Sequence, residues 1–315
     1  MRSAHHTAPA KPATPAARPA ALRPLKGVRL LSLALNLPGP AALMRCRDMG
    51  ARCVKLEPPA PASAPAGSSG DPMGLYNPKA YQVMHQGVRI LQADLKTDKG
   101  QKALHKELAR TDVLLTSFRP SALVKLGLQW SSLRRQYPQL SLVEIVGAPA
   151  ERAEEPGHDL TYMAECDLVT GLELPASLFA DMGGSLMASE AVLQARLMQL
   201  QNGRGVRLEI ALNAAAAYLG LPRSWGLTRP GAAVGGGHAG YRVYPCKDGR
   251  VALAALEPHF AAALAKEAGL AHSSMGDMFK PATHEAIARF VADKTCKQLS
   301  ALGAARDIPL LALKP

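Results

Sequence analysis

Apolar and polar positions along the chain alternate between short continuous apolar runs and longer stretches in which leucines recur every three or four residues. The runs at 27–35 (GVRLLSLAL), 53–56 (CVKL), 89–92 (RILQ), 112–118 (DVLLTSF) and 140–146 (LSLVEIV) predict strands. Between them, 40–49 predicts a helix opening at Pro40 with Gly50 at its C-terminal cap. Residues 97–110 begin with the capping type Thr97 and place Leu104 and Leu108 on one helical face, and 123–137 is again helical. The stretch 58–76 is rich in Pro, Gly, Ala and Ser and predicts a loop. This rhythm predicts a mostly parallel sheet flanked by helices.

Beyond residue 150 the texture changes. Helices are predicted at 158–169 and 184–201 and a strand at 206–212. A glycine-rich stretch at 231–240 precedes a hairpin at 241–256 that turns at Lys247-Asp248-Gly249, and helical segments follow at 258–270 and 284–302. The pattern therefore divides into a tail (1–26), a large α/β domain (27–212), a linker (213–235) and a small α+β domain (236–315), with no internal repeat.

Composition narrows the class. Of the 315 residues, 48% are hydrophobic, as in a globular protein, and no apolar run reaches the ~18 residues that a membrane helix needs. The net charge of +12 admits nucleic acid, a membrane surface or an anionic small molecule as partner. Five of those charges (Arg2, Lys11, Arg18, Arg23 and Lys26) sit in the acid-free, Ala/Pro-rich tail, which reads as a flexible basic extension of a cytoplasmic protein. The remaining basic residues are interspersed with acids, and no aromatic or basic-helix motif for nucleic acid occurs, so neither nucleic acid nor membrane is expected as a partner. The cysteines Cys46, Cys53, Cys166, Cys246 and Cys296 are odd in number and scattered, which points to reduced thiols rather than disulfides or a metal site.

The first βα turn, Asn36-Leu37-Pro38-Gly39-Pro40, lacks the G-x-G-x-x-G fingerprint. Walker, G-x-S-x-G and H-E-x-x-H signatures are also absent. Three titratable positions stand out: His158-Asp159 opening a helix after Pro156-Gly157, Asp181 before Gly183-Gly184-Ser185, and Glu257 ending an apolar run before Pro258. Taken singly, Asp159 and Asp181 read rather as helix caps, and Glu257 as a first-turn acid complementing a helix dipole.

The segments LPGPAALMRCRDMGARCVKLEPP (37–59), GDPMGLYNPKAY (70–81), ADLKTDKG (93–100), DVLLTSFRPSALVKLGL (112–128), PGHDLTYMA (156–164), FADMGGS (179–185) and YRVYPCKDGRVALAALEPHF (241–260) resemble, in order and spacing, the family III CoA-transferases (CaiB/BaiF), which include α-methylacyl-CoA racemase. The resemblance implies that family's fold: a Rossmann-like large domain, a small α+β domain and an interlocked homodimer. It also implies acyl-CoA as substrate, with coenzyme A part of the substrate thioester and no permanently bound cofactor or metal. It leans toward the racemase branch, in which His158 and Asp181 would exchange an α-proton from opposite faces, Glu257 would support Asp181, and the Asp159 N–H would receive the enolate oxygen. In the transferase branch, Asp159 instead matches a carboxylate that forms a mixed anhydride. Gly235-Gly236-Gly237 resembles the transferases' glycine loop, so Gly236 and Gly237 are candidate ligands, and Lys55, Arg89 and Arg119 are candidate phosphate partners. The sequence departs from the family in GAPAERAEEPG after residue 146, in Pro58, and in ending at Pro315, after a segment matching P-V-L, where relatives return to the large domain. A catalytically impaired CoA-binding paralogue is the third expectation.

Overall fold

The computed structural model describes residues 22–65, 67–270 and 274–314. The predicted tail lies mostly outside this range. Its last residues are part of the fold, however: Leu25 is fully buried and its N–H donates to the Met49 carbonyl at 3.0 Å. The chain divides into two units. The first comprises residues up to 162 together with 176–216, and the second comprises 163–175 and 217 onward. Residues 163–175 thus leave the expected large domain. The expected linker at 213–235 contains helix.

The first unit is a six-stranded, fully parallel sheet. Its strands are β1 (Arg29–Ser32), β2 (Arg52–Glu57), β3 (Arg89–Gln92), β4 (Val113–Thr116), β5 (Ser141–Val146) and β6 (Arg207–Ala211), in the order β3-β2-β1-β4-β5-β6. This is the doubly wound order, in which ligands bind where the strand order reverses, here between β1 and β4. Central strands must be apolar on both faces, and every residue of β4 and β5 is buried. The helices are α1 (Pro38–Asp48), α2 (Pro72–Tyr76), α3 (Pro78–His85), α4 (Asp98–Leu108), α5 (Pro120–Lys125), α6 (Trp130–Gln136), α7 (Asp159–Glu165) and α8 (Phe179–Asn202); α9 (Leu212–Leu219) begins in this unit, and α10 (Leu221–Ser224) belongs to the second. None of the described helices is long and apolar enough to cross a membrane.

The differences from the sequence pattern have local causes. Helices α2 and α3 arise inside and just after the predicted loop because Asp71 and Asn77 cap them, accepting the N–H groups of Met73 and Ala80, with a proline at each first turn. The single helix expected at 123–137 is broken at Gly127, whose φ of 71° ends α5. Burial pushes the Cys46 and Cys53 thiols up to about 12, as befits inert core cysteines.

The second unit carries an antiparallel sheet ordered β7 (Tyr241–Cys246), β8 (Gly249–Ala254) and β9 (Leu310–Leu313), with α11 (Pro258–Glu267), α12 (Pro281–Ala292) and α13 (Cys296–Arg306). Its core is built on Tyr244, Val251, Leu264, Ile287 and Leu299. The one helix expected at 284–302 is two, because Thr295 and Gln298 form a reciprocal capping box that starts α13 afresh. Strand β9 was not anticipated, being a four-residue apolar segment at the end of the sequence.

Candidate active site

At the carboxyl ends of β1, β4 and β5 lies a pocket of about 170 Å3, lined among others by Asn36, Arg119, Gly157, His158, Tyr162 and Asp181. Asn36 supplies the turn after β1 with φ 63°, a left-handed conformation that asparagine tolerates better than most residues. Its N–H donates to Asp71 Oδ1 at 3.0 Å, and the same oxygen caps α2 through the Met73 N–H at 2.9 Å. Gly157 is required by Tyr162: a Cβ at residue 157 would lie 2.5 Å from the phenol oxygen, and one at Gly147 would overlap it as well.

His158 stands at the entrance to α7. Its N–H donates to Thr161 Oγ1 at 3.1 Å, and the Thr161 hydroxyl donates back to the His158 carbonyl at 2.8 Å. This fixes the backbone while the imidazole remains exposed at the pocket. Asp159 points the other way. It is buried, and its Oδ1 accepts the N–H of Asp181 at 2.9 Å. Helix α8 begins after Leu178, which has no side-chain acceptor, so Asp159 caps it from a distant part of the sequence and places a carboxylate at the positive end of its dipole. Burial, reinforced by the Asp159 charge, raises the Asp181 carboxyl to about 6, with His158 pulling weakly in the opposite direction.

A larger groove of about 850 Å3 shares Leu35 and Phe118 with this pocket and carries Lys96 and Lys125 in its otherwise largely apolar wall. Asp94, also in that wall, is engaged by the Lys96 backbone N–H at 3.0 Å. Neither lysine was singled out in the sequence. The available signal was ADLKTDKG, where Lys96 falls in the turn between β3 and α4.

Two expected phosphate ligands lie elsewhere. Lys55 is fully buried, and its ammonium is paired with Asp71, with Glu57 at 3.6 Å and with His85 Nε2 at 3.1 Å. With its charge neutralised inside the fold, it cannot meet a phosphate. Burial and the Lys55 charge hold His85 below the usual imidazole range. Arg89 is the first residue of β3, at the amino edge of the sheet rather than the carboxyl edge, and is bound to Glu107 at 2.6 Å. Arg119 does line the pocket, preceding α5. The acidic segment after β5 has a local role: Glu154 accepts the Ser121 N–H at 2.6 Å and hydroxyl at 2.9 Å, capping α5 in place of Arg119.

The other candidates belong to the second unit. Glu257 is exposed at the N-cap of α11 without a capping bond. Gly236 has φ 89°, its carbonyl accepts from Arg242 at 3.3 Å, and the Gly237 carbonyl is 2.9 Å from His284 Nε2.

A doubly wound sheet with a pocket at its switch point is a common scaffold, and comparison with known proteins makes the class specific. Residues 25–314 match the model of CoA-transferase family III, and the chain belongs to that family. Mouse alpha-methylacyl-CoA racemase is 28% identical over 298 residues, covering 88% of this chain and 73% of the relative. Cinnamoyl-CoA:phenyllactate CoA-transferase of Clostridium sporogenes is 29% identical over 204 residues, covering 61% of this chain and only 50% of the relative. The chain thus spans between half and three-quarters of the length of these two relatives. A CAIB/BAIF family protein from Brucella suis shares the fold, with a TM-score of 0.77 at 22% identity over 93% of this chain and 85% of that one.

Proposed function

We propose that this protein acts on acyl-CoA thioesters by exchanging the proton on the carbon next to the thioester carbonyl, with His158 and Asp181 as the acid–base pair. The observation that carries this reading is the division of labour among three adjacent titratable residues. His158 and Asp181 face one pocket, whereas the Asp159 carboxyl is buried and used to hold the start of α8. An Asp held at about 6 is mostly ionised at pH 7 yet keeps roughly a tenth of its population protonated, so it can both take and return a proton. In the forward step one of the pair removes the α-proton, leaving an enolate. The other delivers a proton to the opposite face, so the carbon inverts with no net change in composition. The N–H of Asp159, the first residue of α7, would receive the charge on the enolate oxygen.

The larger groove would hold the nucleotide end of CoA, with Lys96 and Lys125 at its phosphates. The thioester arm would pass Leu35 and Phe118, and Arg119 would stand at the rim of the reaction pocket. The similarity to a racemase and to a CoA-transferase supports an acyl-CoA substrate for either chemistry.

The test is incubation with a 2-methylacyl-CoA in deuterated water. Incorporation of α-deuterium, lost in His158→Ala and in Asp181→Asn, is the expected result. Absence of deuterium together with a hydroxylamine-sensitive acyl adduct on Asp159 would replace this reading with CoA transfer. CoA binding without either reaction would leave a non-catalytic binding protein.

A further inference from the structure

The first three strands of the sheet run β1, β2 and β3 from Arg29, Arg52 and Arg89, so their amino edge presents a row of guanidinium groups. The register sets Arg29 directly beside Arg52. Arg23, Arg47 and Arg110 join them from the segment before β1, the last turn of α1 and the chain following α4. Together the six arginines line a cavity of about 760 Å3. We propose that this cavity is a second ligand site, built to bind an organic polyphosphate of nucleotide size.

Charge is the first argument. Three carboxylates serve the six guanidinium groups: Asp112 on Arg29 at 3.5 Å, Asp48 on Arg47 at 2.6 Å, and Glu107 shared between Arg89 and Arg110. A surplus of three positive charges remains. Among the described residues, Arg23 and Arg52 have no carboxylate within salt-bridge distance. Like charges set side by side on neighbouring strands repel and cost stability, and nothing among the described residues relieves the Arg29–Arg52 pair except Asp112 on one side. An anion seated between them would.

Shape and chemistry select the ligand. The planar guanidinium fork matches phosphate oxygens two at a time, which an ammonium cannot do. The volume falls within the range of small-molecule pockets, roughly 300–1,000 Å3, and exceeds what one phosphate fills. The arginines surround a concavity and do not form the stripe or exposed basic helix that tracks a nucleic-acid backbone. The site also differs from the lysine-bearing groove at the carboxyl edge, with which it shares no lining residue.

Calorimetric titration of the full chain with ATP and with inorganic tripolyphosphate, in low-salt buffer, tests the proposal. Both are expected to bind saturably at one site, to bind as well to the Lys96→Ala/Lys125→Ala variant, and to bind at least tenfold more weakly to Arg23→Ala/Arg52→Ala. Because those two arginines are exposed and unpaired, their removal is expected to leave the melting temperature at or above that of the wild type. Binding unaffected by the arginine variant, binding lost in the lysine variant, or no binding of either probe at millimolar concentration would overturn the proposal. So would binding of duplex DNA alone, or a lower melting temperature in Arg23→Ala/Arg52→Ala.

Discussion

The Asp159 carboxylate accepts the backbone N–H of Asp181 at 2.9 Å, so a residue at the head of one helix caps the next and at the same time sets the electrostatics of its first turn. Burial, reinforced by the nearby Asp159 charge, raises the Asp181 carboxyl to about 6. Asp159→Asn keeps an oxygen able to accept the N–H but removes the charge. The Asp181 pKa is then expected to fall, moving the acid limb of the α-deuterium exchange rate to lower pH. A pH–rate profile of the two proteins checks this, and an unshifted limb would contradict it.

The same elevation has a signature in stability. A carboxyl raised in the folded state favours folding when protonated. Its contribution is complete below the unfolded pKa, near 4, and is lost as pH rises through about 6. Asp181→Asn removes this dependence. Chemical denaturation at pH 8 is expected to find the variant more stable than wild type by on the order of 2 kcal/mol, with the difference shrinking toward pH 4.

Lys55 supplies a sharper test of the buried ion cluster. Lys55→Met leaves Asp71 and Glu57 facing each other without a cation, and urea unfolding is expected to show a loss of about 3–5 kcal/mol. Adding Asp71→Asn to Lys55→Met should recover part of that loss, because one unpaired charge is removed with the other.

Gly157→Ala places a methyl 2.5 Å from the Tyr162 phenol oxygen and must push the ring from its seat in the pocket wall. Overpacking of this kind costs roughly 1–3 kcal/mol. Exchange activity and melting temperature are both expected to fall, and because the ring carbons Cε1 and Cζ also lie 2.6 and 2.7 Å from the added methyl, Tyr162→Phe in the same chain is expected to restore neither.

Use of the thioester substrate distinguishes the two edges of the sheet. Lys96→Ala and Lys125→Ala are each expected to raise the KM for acyl-CoA in α-deuterium exchange by about tenfold, or about 1.4 kcal/mol, whereas Arg89→Ala, at the amino edge, is expected to leave it unchanged. Initial exchange rates against acyl-CoA concentration measure both.

The legibility of this fold varies with the distance over which each feature is specified. Strands β4 and β5 were evident from continuous apolar runs, and the turn residues Gly50 and Gly127 mark real helix ends with φ of 100° and 71°. Gly127 nonetheless leaves no break in the sequence pattern, because Leu123, Leu126 and Leu133 keep an apolar spacing across it. Helices α2 and α3 were hidden in a Pro/Gly-rich stretch, where short capped helices and loops share a composition. His158, Asp159 and Asp181 were recognisable in their local motifs, but the bond between Asp159 and Asp181 spans 22 positions and leaves no local trace.

Lys55 and Arg89 show the limit most directly. Each is a basic residue in or beside a strand, and sequence position alone assigns both to the same phosphate. A strand has two ends and an inside: residue 55 falls opposite Asp71 and Glu57 and is buried, and residue 89 falls at the amino edge, away from the reaction pocket. By itself, the sequence determined the alternation of strands and helices and the family, and it marked His158, Asp159 and Asp181 as candidates, because these depend on local pattern and local motif. The tertiary structure alone decided which charges are neutralised in the interior, that burial pushes the Asp181 carboxyl upward, and which basic residues share a cavity. Those outcomes depend on burial and on charge–charge distances, which exist only once distant segments are packed together.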